Sequence, residues 1–237
     1  MYKNYIFDLY GTIVDIHTNE RKVSLWKSMS CFMSLQGAVY EPKELKKAYG
    51  DTIKALKKES GITVDECEIA FNELIKRLYK AKGYNPTSEE ISHWALMFRS
   101  ISMEHLYLFP GAKELLERLH LGGKKVYLLS NAQRLITEPE MRYLGIYDLF
   151  DDVFYSSDAG FVKPSASFYQ ALIKKHGLDP KESVMVGNDW QADAWGAHKN
   201  GLDSMYIHTP QSTEITGPLP DNCRVLDDIS QVYSNRA

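Results

Sequence analysis

The chain has 237 residues, 44% hydrophobic and 25% charged, a balance that excludes intrinsic disorder and suits one globular domain with or without an insertion. Its 28 basic and 31 acidic residues give a net charge of −3, so no surface is built for nucleic acid or anionic lipid. No apolar run approaches the roughly 18 residues of a membrane span. A carboxylate at position 8 breaks any secretory signal, and the widely spaced Cys31, Cys67 and Cys223 read as reduced thiols, so a cytoplasmic protein is expected.

Tyr5-Ile6-Phe7, followed by Asp8-Leu9-Tyr10-Gly11-Thr12, reads as a buried strand ending in a loop. From about residue 20 to residue 102 the pattern turns helical. Leu45, Ala48, Tyr49, Ile53 and Leu56 make one stripe, and Ala70, Leu74, Ile75 and Leu78 another. Turn signals at Gly37, Pro42, Gly61 and Gly83–Pro86 divide this stretch into about four helices with no strand, and Thr87 to Glu90 has the form of an N-terminal cap.

After Phe109-Pro110-Gly111 strands and helices alternate. Strands are predicted at Lys125–Leu129, Asp152–Tyr155, Ser183–Val186 and Ser204–His208, with a short one near Arg224-Val225. Helices are predicted over Ala112–Leu119, up to about Leu144, over Ser165–His176 and over Asp193–Asn200. Alternation of this kind means right-handed crossovers and a parallel sheet. The first strand has no partner unless it joins that sheet. The expected fold is therefore an α/β Rossmann-like core, residues 1–16 and 103–237, interrupted by an all-helical cap, residues 17–102.

Ligands of open parallel sheets sit at the carboxyl ends of the strands. The polar residues expected there are Asp8, Tyr10 and Thr12, then Ser130 and Asn131, then Lys163, and finally Asn188, Asp189 and Asp193. Each motif is weak alone, but all four in this order resemble the haloacid dehalogenase (HAD) superfamily of aspartate-nucleophile hydrolases. The resemblance covers about residues 3–16 and 105–210; the helical segment matches only the idea of an inserted (C1-type) cap.

The resemblance implies a Mg²⁺-dependent phosphohydrolase acting on a small phosphorylated metabolite. Asp8 is the expected nucleophile, forming an aspartyl phosphate. Lys163 supplies positive charge to the phosphate and to Asp8. Ser130 and Asn131 are expected to donate hydrogen bonds to phosphate oxygens, and the backbone N–H groups of Gly11 and Thr12 to nest the anion. Asp8, the Tyr10 carbonyl and Asp189 are the expected Mg²⁺ ligands, with Asp189 preferred to Asn188 because a carboxylate binds Mg²⁺ better than an amide. Asp193 is expected to support Lys163 or a metal-bound water.

Tyr10 departs from the phosphatase pattern, in which a second Asp protonates the leaving oxygen. The dehalogenase branch also has Tyr there, in the same Asp-x-Tyr-Gly-Thr pattern. The Gly187-Asn188-Asp189 motif points back to metal chemistry, and no arginine stands about thirty residues after Asp8 to hold a haloacid carboxylate. The alternatives are thus a metal-independent 2-haloacid dehalogenase, or a binding protein that kept the fold and lost turnover. His17 reads as a solvated residue at the hinge to the cap, and Trp190 as core packing.

Overall fold

The computed structural model describes residues 2–63 and 66–233. Its main sheet is built from β1 (Asn4–Phe7), β4 (Lys125–Ser130), β5 (Asp152–Tyr155), β6 (Ser183–Gly187), β7 (Asp203–Ile207) and β8 (Cys223–Leu226). These lie in the order β5-β4-β1-β6-β7-β8, and every neighbouring pair is parallel. The first strand is thus central, with Phe7 beside Leu128 on one side and Val186 on the other.

A central parallel strand is covered on both faces and needs apolar residues in both directions. Tyr5, Phe7, Val126, Leu128, Val184 and Val186 enter one cluster, packed with Leu115, Leu116 and Leu119 of α5 (Ala112–Leu121). The alternate residues Ile6, Tyr127, Leu129 and Met185 face the other, packed with Phe168, Tyr169 and Leu172 of α8 (Ala166–His176). Gly177, at φ 58°, ends α8 in the left-handed region. On the first face lies α6 (Arg134–Tyr143), which contributes Met141.

Four helices separate β1 from the rest of the sheet: α1 (Val23–Leu35), α2 (Pro42–Glu59), α3 (Phe71–Lys80) and α4 (Ser88–Ser102). Pro42 sits in the first turn of α2, where its missing N–H is harmless. Thr87 caps α4 by accepting from the Glu90 N–H at 3.2 Å, and Glu90 returns a bond to the Thr87 N–H at 2.7 Å. The four helices share their own apolar cluster, whose centre is aromatic: Trp26, Tyr49, Phe71, Trp94 and Phe98, with Trp94 and Phe98 stacked at 5.1 Å.

Two features differ from the sequence expectation. Val14–Thr18 (β2) and Met103–Leu108 (β3) form an antiparallel ribbon at the two chain crossings into and out of the helices. Its alternation is masked because both strands carry His and acidic residues, His17 with Glu104 and His105 with Asp15, which pair across the ribbon. The helix expected over Asp193–Asn200 begins earlier, as a π-helical turn over Trp190–Trp195, and becomes α-helical only at α9 (Gly196–Lys199). Among the described residues no helix is long and apolar enough to cross a membrane.

The aromatic cluster predicts a large single-site cost. Phe98 is 3% exposed and touches four other rings. Phe98→Ala is expected to destabilise the helical segment by about 3–5 kcal/mol, read as a lower urea midpoint for tryptophan fluorescence.

Candidate active site

Three neighbouring strands end side by side: β1 before Asp8, β4 at Ser130, and β6 at Gly187 before Asn188. The loop after α7 (Ser156–Ala159) adds Lys163. Together they surround a cavity of about 190 Å³ lined by Asp8, Tyr10, Ser130, Lys163, Asn188 and Asp189, among others.

At its floor lies a buried ion cluster. The Lys163 Nζ donates to Asp8 Oδ1 at 2.7 Å and to Asp193 Oδ1 at 2.7 Å. Burial alone would disfavour the ammonium, but Asp193 and Asp8 outweigh it and hold Lys163 above the usual lysine range. Burial holds the Asp193 carboxyl well above the usual carboxylate range; Lys163 pulls it part of the way back, and Asp8 pushes it up again. Asp193 also accepts the Asp189 N–H through Oδ2 at 2.9 Å, so it braces the β6 loop as well as the lysine. A Cβ at Gly187 would collide with the Asp193 carboxylate, which explains glycine at that position.

The Lys163 backbone is held in turn. Its N–H donates to Asn131 Oδ1 at 2.7 Å, and Asn131 Nδ2 donates to its carbonyl at 3.1 Å. Asn131, expected as a phosphate donor, lines the cavity, and its carboxamide also clamps the lysine loop onto the end of β4. Ser130 Oγ lies 3.5 Å from Asp8 Oδ1, and so remains available to a ligand beside the carboxylate.

The anion nest expected at Gly11 and Thr12 is also corrected. Their N–H groups are committed within the turn, Gly11 to Val14 O at 2.8 Å and Thr12 to Leu9 O at 3.2 Å. Gly11 matters for another reason. Its φ is 82°, and a Cβ there would strike the Asn188 carboxamide. Thr12 Oγ1 donates to Asn188 Oδ1 at 3.2 Å and lies 3.5 Å from Asp8 Oδ2.

Asp189 and Asn188 both line the cavity but have different partners. Asp189 caps the π-helical turn, its Oδ1 accepting from the N–H groups of Gln191 and Ala192 at 2.8 and 2.7 Å. Thr213 Oγ1 donates to its other oxygen at 3.3 Å. Asn188, buried, presents its Oδ1 on the Asp8 side through Thr12. Within the cavity wall, Asn188 thus has its Oδ1 held by Thr12 and Asp189 has its Oδ1 taken up by the turn.

Tyr10 is engaged as well. Its hydroxyl donates a short hydrogen bond to Glu140 Oε2 and lies 2.9 Å from Thr137 Oγ1, both on α6. Burial, and then Glu140, hold the phenol well above its usual range. Glu140 went unnoticed in the sequence, where it reads as one more helical acid. Gln211 also lines the cavity, from a loop-rich tail that gave no signal; Gln211 Nε2 donates to the Ile16 carbonyl at 2.8 Å. His17 does not line the cavity: it is exposed on the ribbon and paired with Glu104 at 2.7 Å.

The fold and the cluster define an α/β protein with two buried carboxylates and a buried lysine gathered at the ends of parallel strands. Residues 2–201 match the haloacid dehalogenase-like hydrolase family, and the chain belongs to that family. Among relatives, it is 27% identical over 140 residues to a glyceraldehyde 3-phosphate phosphatase of Methanothermobacter thermautotrophicus, a match covering 58% of this chain and 62% of that protein. The chain therefore spans less than two thirds of that relative's length. Among solved structures, the magnesium-bound putative HAD-hydrolase YfnB of Bacillus subtilis superposes with a TM-score of 0.55 at 19% identity, covering 98% of this chain and 97% of that one. A 2-haloacid dehalogenase of Pseudomonas syringae pv. Tomato DC3000 gives a TM-score of 0.65 at 18% identity, covering 98% and 96%. These structural likenesses establish the fold.

The ion cluster generates a stability prediction with a defined sign. Lys163→Ala leaves Asp8 and Asp193, both buried, without their cation, and is expected to cost about 3–5 kcal/mol near neutral pH. In the folded variant the Asp193 carboxyl, already held high by burial, loses the cation that pulls it down. That variant takes up protons which the unfolded chain does not bind, so its deficit shrinks as the pH falls from about 8 to about 5. Urea unfolding of both proteins across that range checks this; a deficit that stays constant or grows would mean the cluster is not charged as described.

Proposed function

We propose that the chain is a Mg²⁺-dependent phosphohydrolase for a small phosphorylated metabolite, with Asp8 as nucleophile, and that the four-helix segment is its cap. The observation that carries this reading is the pair of 2.7 Å contacts from Lys163 to Asp8 and Asp193, beneath an open cavity. Named phosphatase activity in a relative supports it.

The reaction follows from the positions of the groups. Asp8 Oδ2 makes only the long 3.5 Å approach from Thr12, so it has a lone pair for in-line attack on phosphorus. The phosphorus–oxygen bond to the leaving alcohol or acid breaks as the bond to Asp8 forms. Lys163 stays on Asp8 Oδ1 and faces the phosphoryl oxygens, and the Ser130 hydroxyl lies beside them. Water then attacks phosphorus, and Asp8 is released.

Charge counting favours a divalent cation. One ammonium between two carboxylates leaves −1, and a phosphoryl group adds up to −2. The nearby donors suit Mg²⁺: Asp8, the Tyr10 carbonyl and the Asn188 carboxamide are all oxygen, and Asp189 also lines the cavity. Among the described residues no cluster of three or more His, Cys, Asp or Glu side chains is arranged to hold a metal, so any ion here would rest partly on carbonyl and carboxamide oxygens. The bound ion would supply neutralisation of the phosphoryl charge.

Tyr10 supports a second reading, the metal-independent dehalogenase, because halide needs no protonation and the phenol proton is held by Glu140. A single assay series separates the two. Asp8→Asn is expected to abolish turnover under either reading. Mg²⁺-dependent hydrolysis of p-nitrophenyl phosphate and acetyl phosphate is expected, faster than that of sugar phosphates, whose alkoxide needs a general acid worth about 10²–10⁴-fold. Halide release from a 2-haloacid without Mg²⁺ would reverse the choice. Asn188→Asp adds a charge beside Asp8 and is expected to lower the Mg²⁺ concentration for half-maximal rate about tenfold; no change would remove Asn188 from the metal site.

A further inference from the structure

A continuous chain of polar groups, with the buried Glu140 at its centre, runs from the reaction cavity into the helical segment. Tyr10, which lines the cavity, donates to Glu140 Oε2 on α6. Glu140 Oε1 lies 3.0 Å from Arg99 Nε on α4, close enough for an ion pair although the two atoms are not aligned as a hydrogen bond. The Glu140 side chain is 7% exposed and that of Arg99 17%. Arg99 also borders a second cavity, of about 270 Å³, walled by Tyr49 of α2, Phe71 of α3, Phe98 of α4 and Ile136 of α6.

Each link has a physical consequence. A carboxylate at this depth needs a cation, and Arg99 is the one it meets. Burial raises the Glu140 carboxyl, while Arg99 and the Tyr10 hydroxyl pull it back. An ionised Glu140 can only accept, so it takes the single proton of the phenol. The Tyr10 hydroxyl is then committed away from the cavity, and what the cavity meets is the fixed tyrosine residue. The ring is held at its far end by two α6 side chains and packs against the apolar cluster of the main sheet.

We propose that Glu140 and Arg99 are positioning residues: the Tyr10–Glu140–Arg99 chain fixes Tyr10 as a wall of the reaction cavity, withholds its proton from the leaving group, and couples that wall to the placement of α4. The proposal rests on the hydrolase reading for its kinetic arm only. It makes the helical segment's seating on the core a determinant of how the leaving group is oriented.

The test is a double-substitution cycle with Arg99→Gln and Tyr10→Phe, with Arg99→Lys as the charge-conserving control. Arg99→Gln is expected to lower kcat for p-nitrophenyl phosphate about tenfold with little change in KM, as for a misplaced wall. Arg99→Lys is expected to recover most of that loss. The double variant is expected to be no slower than the slower single one, because both break the same chain. Losses that multiply, or a shift confined to KM, would overturn the coupling. Tyr10→Phe is expected to slow p-nitrophenyl phosphate and an alkyl phosphate by the same factor; a selective loss on the alkyl ester would show that Tyr10 delivers its proton. The same cycle measured on the urea midpoint gives an independent readout. If the wild type turns over no phosphate ester, the hydrolase reading fails by itself, and the coupling stands on a non-additive midpoint shift and falls on an additive one.

Discussion

One ammonium shared by two buried carboxylates organises this molecule. Lys163 bridges Asp8 at the end of the first strand and Asp193 in the turn after the sixth, at 2.7 Å to each. Three charges so deep are tolerated only together. Their contact therefore dictates how closely three separate chain segments approach. The Lys163 loop is clamped by Asn131, the turn after β6 is braced by Asp193, and glycine is required at position 187 to admit that carboxylate. The same arrangement leaves one carboxylate oxygen of Asp8 nearly unpartnered at the cavity. The stabilising cluster and the carboxylate that the proposed reaction uses are in this sense one structure.

The parallel sheet makes that cluster possible. Residues 8, 130 and 188 are far apart in the chain, yet β1, β4 and β6 are immediate neighbours and all end on one edge. Alternate residues of β1 are buried in opposite directions, Phe7 in one cluster and Ile6 in the other, which fixes the strand's register. Asp8 then follows from Phe7 as the first residue beyond the hydrogen-bonded strand. The polar ends cost little because they are paired with each other or open to the cavity.

The helical segment meets the core along α6 and, through residues 66–68, along the Ser156–Val162 stretch that leads to Lys163. Its own core is rich in aromatic rings and takes Leu135 and Ile136 from α6. At the α6 seam, Arg99 meets Glu140, and Gln133 accepts the Phe71 N–H at 2.9 Å. Tyr10 lies where these contacts reach the loop after Asp8. A residue that reads as a departure from the phosphatase pattern is, in space, a bonded member of this seam.

The central strand with its following Asp8, the alternation of strands and helices, the four-helix stretch and the four polar strand ends were all legible in the sequence. They depend on local periodicity and on residue types at turns, which a linear chain displays directly. Tertiary structure alone decided the partners of those residues. It turned the Gly11 and Thr12 N–H groups inward, gave Asn131 to the lysine loop, made Asp189 a helix cap and set Asn188 beside Thr12. It also brought Arg99, Glu140 and Gln211 into play, residues whose local pattern is that of ordinary helical or loop surface. A hydrogen bond or ion pair depends on distances below about 3.5 Å between groups that are remote along the chain, and the sequence encodes those distances only through the packing of the whole fold.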